Sequence, residues 1–214
     1  MNLSIALPTG ALHLGSLDLM RQAGLVDLDA GQVGRKLLFD RDGLRVVFVR
    51  PSDVPAYVDH GAADLGVVGK DVLWEAGAGH YELVDLGFGG CTLVVAVPDD
   101  SPLGGPGGWP PLLRVATKYP RATAFFMERL GQAVEIVRLN GSVELAPQMG
   151  LVDAIVDLTA TGRTLRDNRL RVVAEIGKST ARLIANQASL KTRSDALQAV
   201  VAKIRRAVES GRDA

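Results

Sequence analysis

The segment AIVDLTATGRTL, residues 154–165, decides how this chain folds. Its first three residues are apolar and typical of a short strand, Asp157 ends that strand, and the pattern around Leu165 is helical. A strand that runs through a polar loop into a helix is the building unit of α/β proteins. The segment therefore predicts an α/β fold with a ligand-binding loop at the carboxyl end of a strand.

The loop between this strand and this helix has the composition of a phosphate-binding site. Backbone N–H groups at a helix N-terminus lack intrahelical partners and can meet an anion. Gly162 lets the backbone approach the anion, and Thr159, Thr161 and Thr164 add hydroxyl donors. Asp157 is placed to accept hydrogen bonds from ribose hydroxyls. An ordinary threonine-capped helix is the alternative, but the combination favours sugar-phosphate binding.

A second acid, Asp153, lies four residues before Asp157. Four residues of strand at ~3.3 Å each separate the two carboxylates by roughly 13 Å, so one sugar cannot contact both. Asp153 is therefore predicted to mark only the start of the strand.

Other phosphate and metal motifs are weaker. GKST at residues 177–180 resembles the end of a P-loop, but Val172 stands where the first glycine is required. The three histidines have no metal-ligand spacing. The sequence thus argues against a P-loop NTPase and against a histidine-bound metal.

Apolar strand-like runs alternate with helix-period segments along the rest of the chain, as in a largely parallel α/β sheet. The predicted strands are residues 3–7, 44–49, 65–68, 83–86, 93–97, 113–116, 134–139, 154–156, 171–176 and 181–185. The predicted helices are residues 14–23, 54–60, 71–76, 122–130, 143–149, 165–168 and 194–208.

Residues 98–111 interrupt this alternation with nine proline or glycine residues in fourteen. Such a stretch cannot hold regular structure, and long irregular loops inside one domain are uncommon. We therefore interpret it as a linker or exposed hairpin that separates an N-terminal α/β unit from a following one. A long loop within one domain is the alternative.

The bulk composition limits the class of protein. The 214 residues carry 24 basic and 24 acidic side chains, which argues against a nucleic-acid or anionic-membrane surface. No apolar run approaches the ~20 residues that span a bilayer, and the N-terminus lacks a signal-peptide layout. Cys91 is the single cysteine, which suits a reducing cytosol. We expect a cytoplasmic protein with neither nucleic-acid nor membrane partners.

Several stretches together resemble the ATP phosphoribosyltransferase family. NGSVELAP at residues 140–147 and GLVDAIVDL at 150–158 precede TGRTL at 161–165, as in the family signature. The other similar stretches are DVPAYV at 53–58, DLGVVGKDVL at 64–73 and RVATKYP at 114–120. They occur in the family's order over nearly the whole chain, so the resemblance is specific.

The resemblance implies a function and an architecture. The reaction would condense ATP with 5-phosphoribosyl 1-diphosphate, with Mg²⁺ as cofactor, in the first step of histidine biosynthesis. The fold would be a two-lobe, type II periplasmic-binding-protein-like α/β architecture with the active site in the cleft between lobes. Residues 1–93 plus 178–214 would form lobe I, and residues 94–177 lobe II. The chain resembles the short form, which works with a regulatory subunit similar to histidyl-tRNA synthetase in a hetero-oligomer.

The resemblance also implies roles for particular residues. The expected catalytic residues are Arg35, Glu144 and Asp157. The expected phosphoribosyl diphosphate ligands are Asp157, Thr159, Ala160, Thr161, Gly162, Arg163 and Thr164, and those for ATP or diphosphate are Gly10, Arg50 and Lys70. Glu144 could instead be a charge on the first turn of a helix. Arg35, Arg50 and Lys70 could instead be ordinary surface residues. Lys118 is a further candidate with the same alternative.

One departure from the family concerns the turn after the first strand. The family usually has Pro-Lys-Gly-Arg, whereas this chain has Pro8-Thr9-Gly10-Ala11. Two cations expected near the phosphates are missing, and Arg21 or His13 are candidates to compensate. The alternative function is therefore a non-catalytic paralogue that binds phosphoribosyl or other small molecules on the same scaffold.

Overall fold

Two separate β-sheets organise the chain. The computed structural model describes residues 3–28, 31, 33, 36–41, 43–77 and 79–212. Contacts divide the chain into unit 1, Met1–Gly89 with Thr180–Ala214, and unit 2, Gly90–Ser179. The α/β prediction is confirmed. The expectation of largely parallel pairing was wrong, because both sheets mix parallel and antiparallel pairs. The unit boundaries fall at 89/90 and 179/180, beside the 93/94 and 177/178 expected for the two lobes.

Strands and helices alternate through most of the chain. In order, the elements are β1 (Leu3–Pro8), α1 (His13–Gln22), β2 (Leu38–Arg41), β3 (Leu44–Val49), α2 (Val54–Asp59), β4 (Leu65–Gly69), α3 (Lys70–Ala76), β5 (Tyr81–Asp85), β6 (Cys91–Pro98), β7 (Leu112–Thr117), α4 (Pro120–Arg129), β8 (Ala133–Arg138), β9 (Ala154–Thr159), α5 (Arg163–Asp167), β10 (Leu170–Ser179), β11 (Ala181–Ala185), α6 (Gln187–Thr192) and α7 (Ser194–Arg212).

The sheet of unit 1 has the strand order β2-β3-β1-β4-β11-β5. Strand β1 pairs in parallel with β3 on one side and β4 on the other, so the carboxyl ends of these three strands lie at one edge. The apolar run of β1 is buried because helices cover both faces of the sheet, as parallel strands require. Turns that follow β1, β3 and β4 therefore come together.

Helix α7 covers one face of this sheet. Its Leu197, Ile204 and Val208 join the core cluster of unit 1, as the apolar spacing of residues 194–208 predicts.

None of the helices in the described part of the chain is long and apolar enough to cross a membrane.

The sheet of unit 2 has the strand order β10-β6-β9-β7-β8. Strand β7 pairs in parallel with β9 and β8, while β6 runs antiparallel between β9 and β10. One face carries an apolar cluster that includes Val94, Ile155, Val143 and Leu165. The carboxyl ends of β7, β8 and β9 therefore share one edge, where β6 begins and β10 ends.

The proline- and glycine-rich stretch 98–111 does not separate the units. It connects β6 to β7 inside unit 2, so the linker interpretation was wrong. The loop is held by hydrogen bonds: Trp109 Nε1 donates to the Gly104 carbonyl at 2.8 Å, and Arg171 Nη2 donates to the Ser101 and Leu103 carbonyls at 2.9 and 2.7 Å. Its composition excludes regular structure, and one of the side chains that anchor it, Arg171, lies about 70 residues away in sequence.

Candidate active site

Asp157 lies inside a strand rather than at its end. Strand β9 continues to Thr159, and Asp157 pairs with Val94 of the antiparallel β6. The carboxylate is half-buried, and its Oδ1 accepts the Leu158 N–H at 2.8 Å. Burial raises the pKa of Asp157 above its ordinary value; the Leu158 N–H opposes this shift, Glu144 adds to it and Lys118 opposes it.

Glu144 and Lys118 are therefore electrostatic neighbours of Asp157. Lys118 directly follows β7 and is exposed, and Glu144 follows β8 on a half-buried 3-10 turn, Val143–Leu145. The helix predicted over residues 143–149 was wrong, because only this short turn forms. It begins after Ser142, whose φ of 49° is left-handed. The structure thus brings two acids and one lysine together at the carboxyl edge of unit 2.

The loop after β9 is braced by its own threonines. Thr159 Oγ1 accepts the Gly162 N–H at 2.9 Å, and Thr161 Oγ1 accepts the Arg163 N–H at 3.4 Å. Because each hydroxyl oxygen acts as an acceptor, its hydrogen can still be donated to an anion. Ala160, Thr161, Arg163 and Thr164 are all exposed. The loop therefore presents hydroxyls, while the Gly162 N–H is used within it.

Gly162 has a conformation that suits glycine. Its φ is +72°, in the left-handed region that β-branched residues avoid. An added Cβ would lie 2.9 Å from Arg166 Nη1, the mobile end of a side chain that donates to the Thr161 carbonyl at 3.1 Å. Helix α5 is only five residues long, so a helix dipole adds little to this site.

Asp153 belongs to a different arrangement, just before β9. Arg114 Nη2 donates to Asp153 Oδ1 at 2.7 Å, and the Arg114 backbone N–H donates to Oδ2 at 3.0 Å. The Asp153 N–H donates in return to the Arg114 carbonyl at 3.0 Å. The Arg114 side chain lowers the pKa of Asp153, against the effect of burial. This ion pair fastens β9 to β7.

The predicted ATP-binding residues of unit 1 follow three neighbouring parallel strands. Gly10, with φ of +77°, follows β1, and Arg50 follows β3; both are exposed. Lys70 directly follows β4, but its ammonium is ion-paired with Glu82 of β5. Arg35, the third predicted catalytic residue, lies outside the described residues.

The turn that lacks the family's cations is tied to the sheet. The N–H and hydroxyl of Thr9 both donate to the Val49 carbonyl, at 2.9 and 3.3 Å. Arg21 is ion-paired with Asp18 and Asp27. His13 packs edge-on against Phe48, and its buried Nδ1 has no hydrogen-bond partner among the described residues. The Arg21 guanidinium is thus bound to acids of α1 and of the loop that follows it.

Carboxylates at the edge of unit 2 do not form a closed metal cage. Across residues 3–28, 31, 33, 36–41, 43–77 and 79–212, no three His, Cys, Asp or Glu side chains are grouped so that they could hold a metal ion. The Asp157–Glu144 pair suits a cation that shares most of its ligands with a phosphorylated substrate and water.

Two residues that the sequence did not assign to this site lie in one row with Thr159. Thr92 of β6 pairs with Thr159, and Lys178 of β10 pairs with Thr92. No local sequence signal places them in this row, because cross-strand register depends on pairing between distant segments.

Comparison with solved structures defines the class of fold. The periplasmic aliphatic sulphonate binding protein SsuA from Escherichia coli matches with a TM-score of 0.62 and 17% identity, over 99% of this chain and 70% of that chain. Two binding proteins of amino-acid ABC transporters match with TM-scores of 0.58 and 0.61 and identities of 14% and 12%. The fold is thus that of the type II periplasmic-binding-protein class.

Sequence comparison gives the family. The ATP phosphoribosyltransferase (HisG) family model matches residues 50–206, and the chain belongs to this family. ATP phosphoribosyltransferases from Caldanaerobacter subterraneus subsp. tengcongensis and Moorella thermoacetica are 46% and 48% identical, over 97% and 98% of this chain and 98% and 94% of theirs. The ATP phosphoribosyl transferase (HisG:HisZ) complex from Thermotoga maritima matches with a TM-score of 0.83 and 32% identity, over 97% of this chain and 99% of that chain.

Proposed function

We propose that this protein is an active ATP phosphoribosyltransferase that joins ATP to 5-phosphoribosyl 1-diphosphate in the first step of histidine biosynthesis. The products are N1-(5-phosphoribosyl)-ATP and diphosphate. The observation that carries the proposal is the grouping of Asp157, Glu144, Lys118 and the threonine loop at one sheet edge, in a chain of this family.

The chemistry requires positioning and charge stabilisation. Adenine N1 forms a bond to the anomeric carbon while the bond from that carbon to the diphosphate oxygen breaks. The anomeric carbon gains positive charge, which the carboxylates of Asp157 and Glu144 stabilise. Asp157 also accepts hydrogen bonds from the ribose hydroxyls. Most of the rate then comes from holding the donor and adenine in line.

The loop after β9 holds the 5-phosphate of the donor. The hydroxyls of Thr159, Thr161 and Thr164 donate to phosphate oxygens, the exposed Ala160 adds a main-chain contact, and Arg163 adds a charge. Gly162 contributes its left-handed turn, because its N–H already donates to Thr159 Oγ1. This assignment is supported by the exposure of Ala160, Thr161, Arg163 and Thr164 and by the left-handed turn at Gly162.

ATP and diphosphate would use the carboxyl edge of the unit 1 sheet. Gly10 offers an uncovered backbone, and Arg50 an exposed guanidinium, after adjacent parallel strands. Lys70 would exchange Glu82 for a phosphate oxygen. Arg35 completes the proposed set of cations.

Mg²⁺ would enter with the diphosphate. Protein sites commonly hold this ion through one or two carboxylates plus substrate phosphates and water, and Asp157 with Glu144 fits that donor set. When bound, the ion supplies neutralising charge for the departing diphosphate.

We further propose that the protein acts in the cytoplasm with a regulatory subunit similar to histidyl-tRNA synthetase, in a hetero-oligomer. The Thermotoga maritima relative, described as a HisG:HisZ complex, supports such a partner. The biosynthetic relatives support the compartment.

A second candidate function is binding without turnover. It is favoured by the turn Pro8-Thr9-Gly10-Ala11, where Thr9 directs its hydroxyl to the Val49 carbonyl instead of supplying a cation. A protein with this turn could hold the phosphoribosyl donor in unit 2 and fail to orient ATP.

A turnover assay separates the two candidates. The purified protein, with and without the regulatory partner, is mixed with ATP, Mg²⁺ and 5-phosphoribosyl 1-diphosphate, and absorbance of the N1-substituted adenine product is followed. The proposal expects product, at least with the partner. Donor binding by calorimetry without product in either mixture would favour the second candidate, and absence of both would reject both.

A further inference from the structure

A lysine on β10 faces the same side of the unit 2 sheet as the threonine loop. Lys178 is paired with Thr92, and Thr92 with Thr159, so the three residues form one row across adjacent strands. Directly paired residues project from the same face of an antiparallel sheet. Lys178 therefore lies on the Asp157 and Thr159 face, about 10 Å from Thr159 at two strand spacings.

A β-bulge sets this orientation. Glu175 pairs with Val94, and the register shifts before Gly177 pairs with Leu93. In an unbroken ladder Gly177 would oppose Thr92, and Lys178 would project from the opposite face. Bulges near active sites commonly redirect a side chain in this way.

The surroundings of Lys178 leave its charge available. The side chain is exposed and makes no ion pair with any described residue. Helix α5, which continues the threonine loop, packs against both β9 and β10. The loop thus lies toward the β10 side of Asp157, whereas Lys118 lies toward β7.

We infer that Lys178, with the Thr92 hydroxyl beside it, is a binding residue for the 5-phosphate held by the Thr159–Thr164 loop. The inference rests on the proposed function, since it assumes a phosphoribosyl ligand. It gives this phosphate a second cation from unit 2, besides Arg163, in a chain whose turn after β1 lacks the two cations of the family. A phosphate oxygen between Lys178 Nζ and the loop hydroxyls would accept hydrogen bonds from both.

Calorimetry with three ligands tests the inference. 5-phosphoribosyl 1-diphosphate, ribose 5-phosphate and inorganic diphosphate are titrated into the wild type, Lys178→Gln and Lys178→Arg. Lys178→Gln is expected to raise Kd for both ribose phosphates about tenfold or more, because a charged hydrogen bond is lost. Lys178→Arg should restore most of the affinity, and diphosphate binding should not change.

Lys203→Gln is the matched control, because Lys203 is an exposed lysine on α7 in unit 1. If the wild type binds the donor and Lys178→Gln binds ribose 5-phosphate as Lys203→Gln does, the inference is wrong while the proposed function stands. A loss of affinity for diphosphate alone would also overturn the assignment to the 5-phosphate. If the wild type binds neither ribose phosphate, the proposed function fails and the inference with it.

Discussion

Two aspartates, one just before strand β9 and one in the carboxyl-terminal half of that strand, are in opposite electrostatic states. At the amino end, Asp153 is paired with Arg114 at 2.7 Å, and this contact lowers its pKa. Four residues later, Asp157 is half-buried beside another acid, and burial raises its pKa. The charge of Asp153 is therefore stabilised by its ion pair, whereas ionisation of Asp157 is opposed by burial.

The difference separates a structural acid from a functional one. A satisfied ion pair stabilises the fold and has no reason to bind a ligand. Carboxylates that share a partly desolvated site are stabilised when a ligand brings positive charge and hydroxyl donors. The end with Asp157 is thus prepared for a sugar that becomes cationic, and the end with Asp153 only joins β9 to β7.

Asp157→Asn should have the largest effect on catalysis. The amide keeps an acceptor for the Leu158 N–H but removes the charge that stabilises the anomeric carbon. We expect kcat/KM to fall about a hundredfold or more, measured by product absorbance. Because ionisation of a carboxylate with a raised pKa opposes folding above its ordinary pKa, the variant should be no less stable than the wild type at neutral pH. Activity within a few-fold of wild type would contradict the assignment.

Thr161→Val combined with Gly162→Val should abolish donor binding. Valine is strained at the φ of +72°, and the two side chains cover the backbone and remove a hydroxyl. Calorimetry with 5-phosphoribosyl 1-diphosphate should detect no heat.

Gly131→Val is the matched control for that loop variant, because Gly131 has φ of +65° at an exposed turn of the same unit. It should lose stability through the same backbone strain and still bind the donor. Equal donor affinity of the loop variant and this control would show that the phosphate binds elsewhere.

Asp153→Asn should lower stability and leave donor affinity unchanged. Since the folded pKa of Asp153 is lowered, its contribution is present above the ordinary carboxyl pKa of about 3.9 and is lost as pH falls through the folded value. Thermal melts should therefore show a lower Tm than wild type at neutral pH and a shrinking difference in acid. An unchanged Tm at neutral pH would argue against the structural role.

Glu144→Gln should lower kcat/KM less than Asp157→Asn does, and its most specific effect should be a small shift of the pH profile. Glu144 raises the pKa of Asp157, so its neutralisation should move the acid limb of the kcat/KM profile to lower pH. Glu128→Gln, an exposed change on α4, is the control and should leave the limb in place. A shift of the acid limb to higher pH, or no shift, would contradict an electrostatic effect of Glu144 on Asp157.

Local patterns in the sequence predict the loop but not the contacts around it. The strand, the glycine and the threonines after Asp157 are neighbours in sequence, and the loop forms where the pattern places it. Arg114 binds Asp153 across 39 residues of sequence, and a β-bulge determines the face from which Lys178 projects. Neither contact can be predicted from a local sequence pattern.

The proline- and glycine-rich residues 98–111 illustrate the same limit. Their composition predicts irregular backbone, which the structure has. Whether such a segment joins two units or lies inside one depends on pairing between β6, β9 and β10, which involves residues far from it. Composition therefore predicts local backbone better than domain boundaries.

Calorimetric titration of 5-phosphoribosyl 1-diphosphate into the wild type, Asp157→Asn and Asp153→Asn compares the two aspartates most directly. The Asp157 carboxylate accepts ribose hydroxyls, so its loss should raise Kd about tenfold or more. Asp153→Asn should bind as the wild type does. Equal affinity in all three proteins, or a weaker Asp153→Asn complex beside an unchanged Asp157→Asn complex, would contradict the division of roles along this strand.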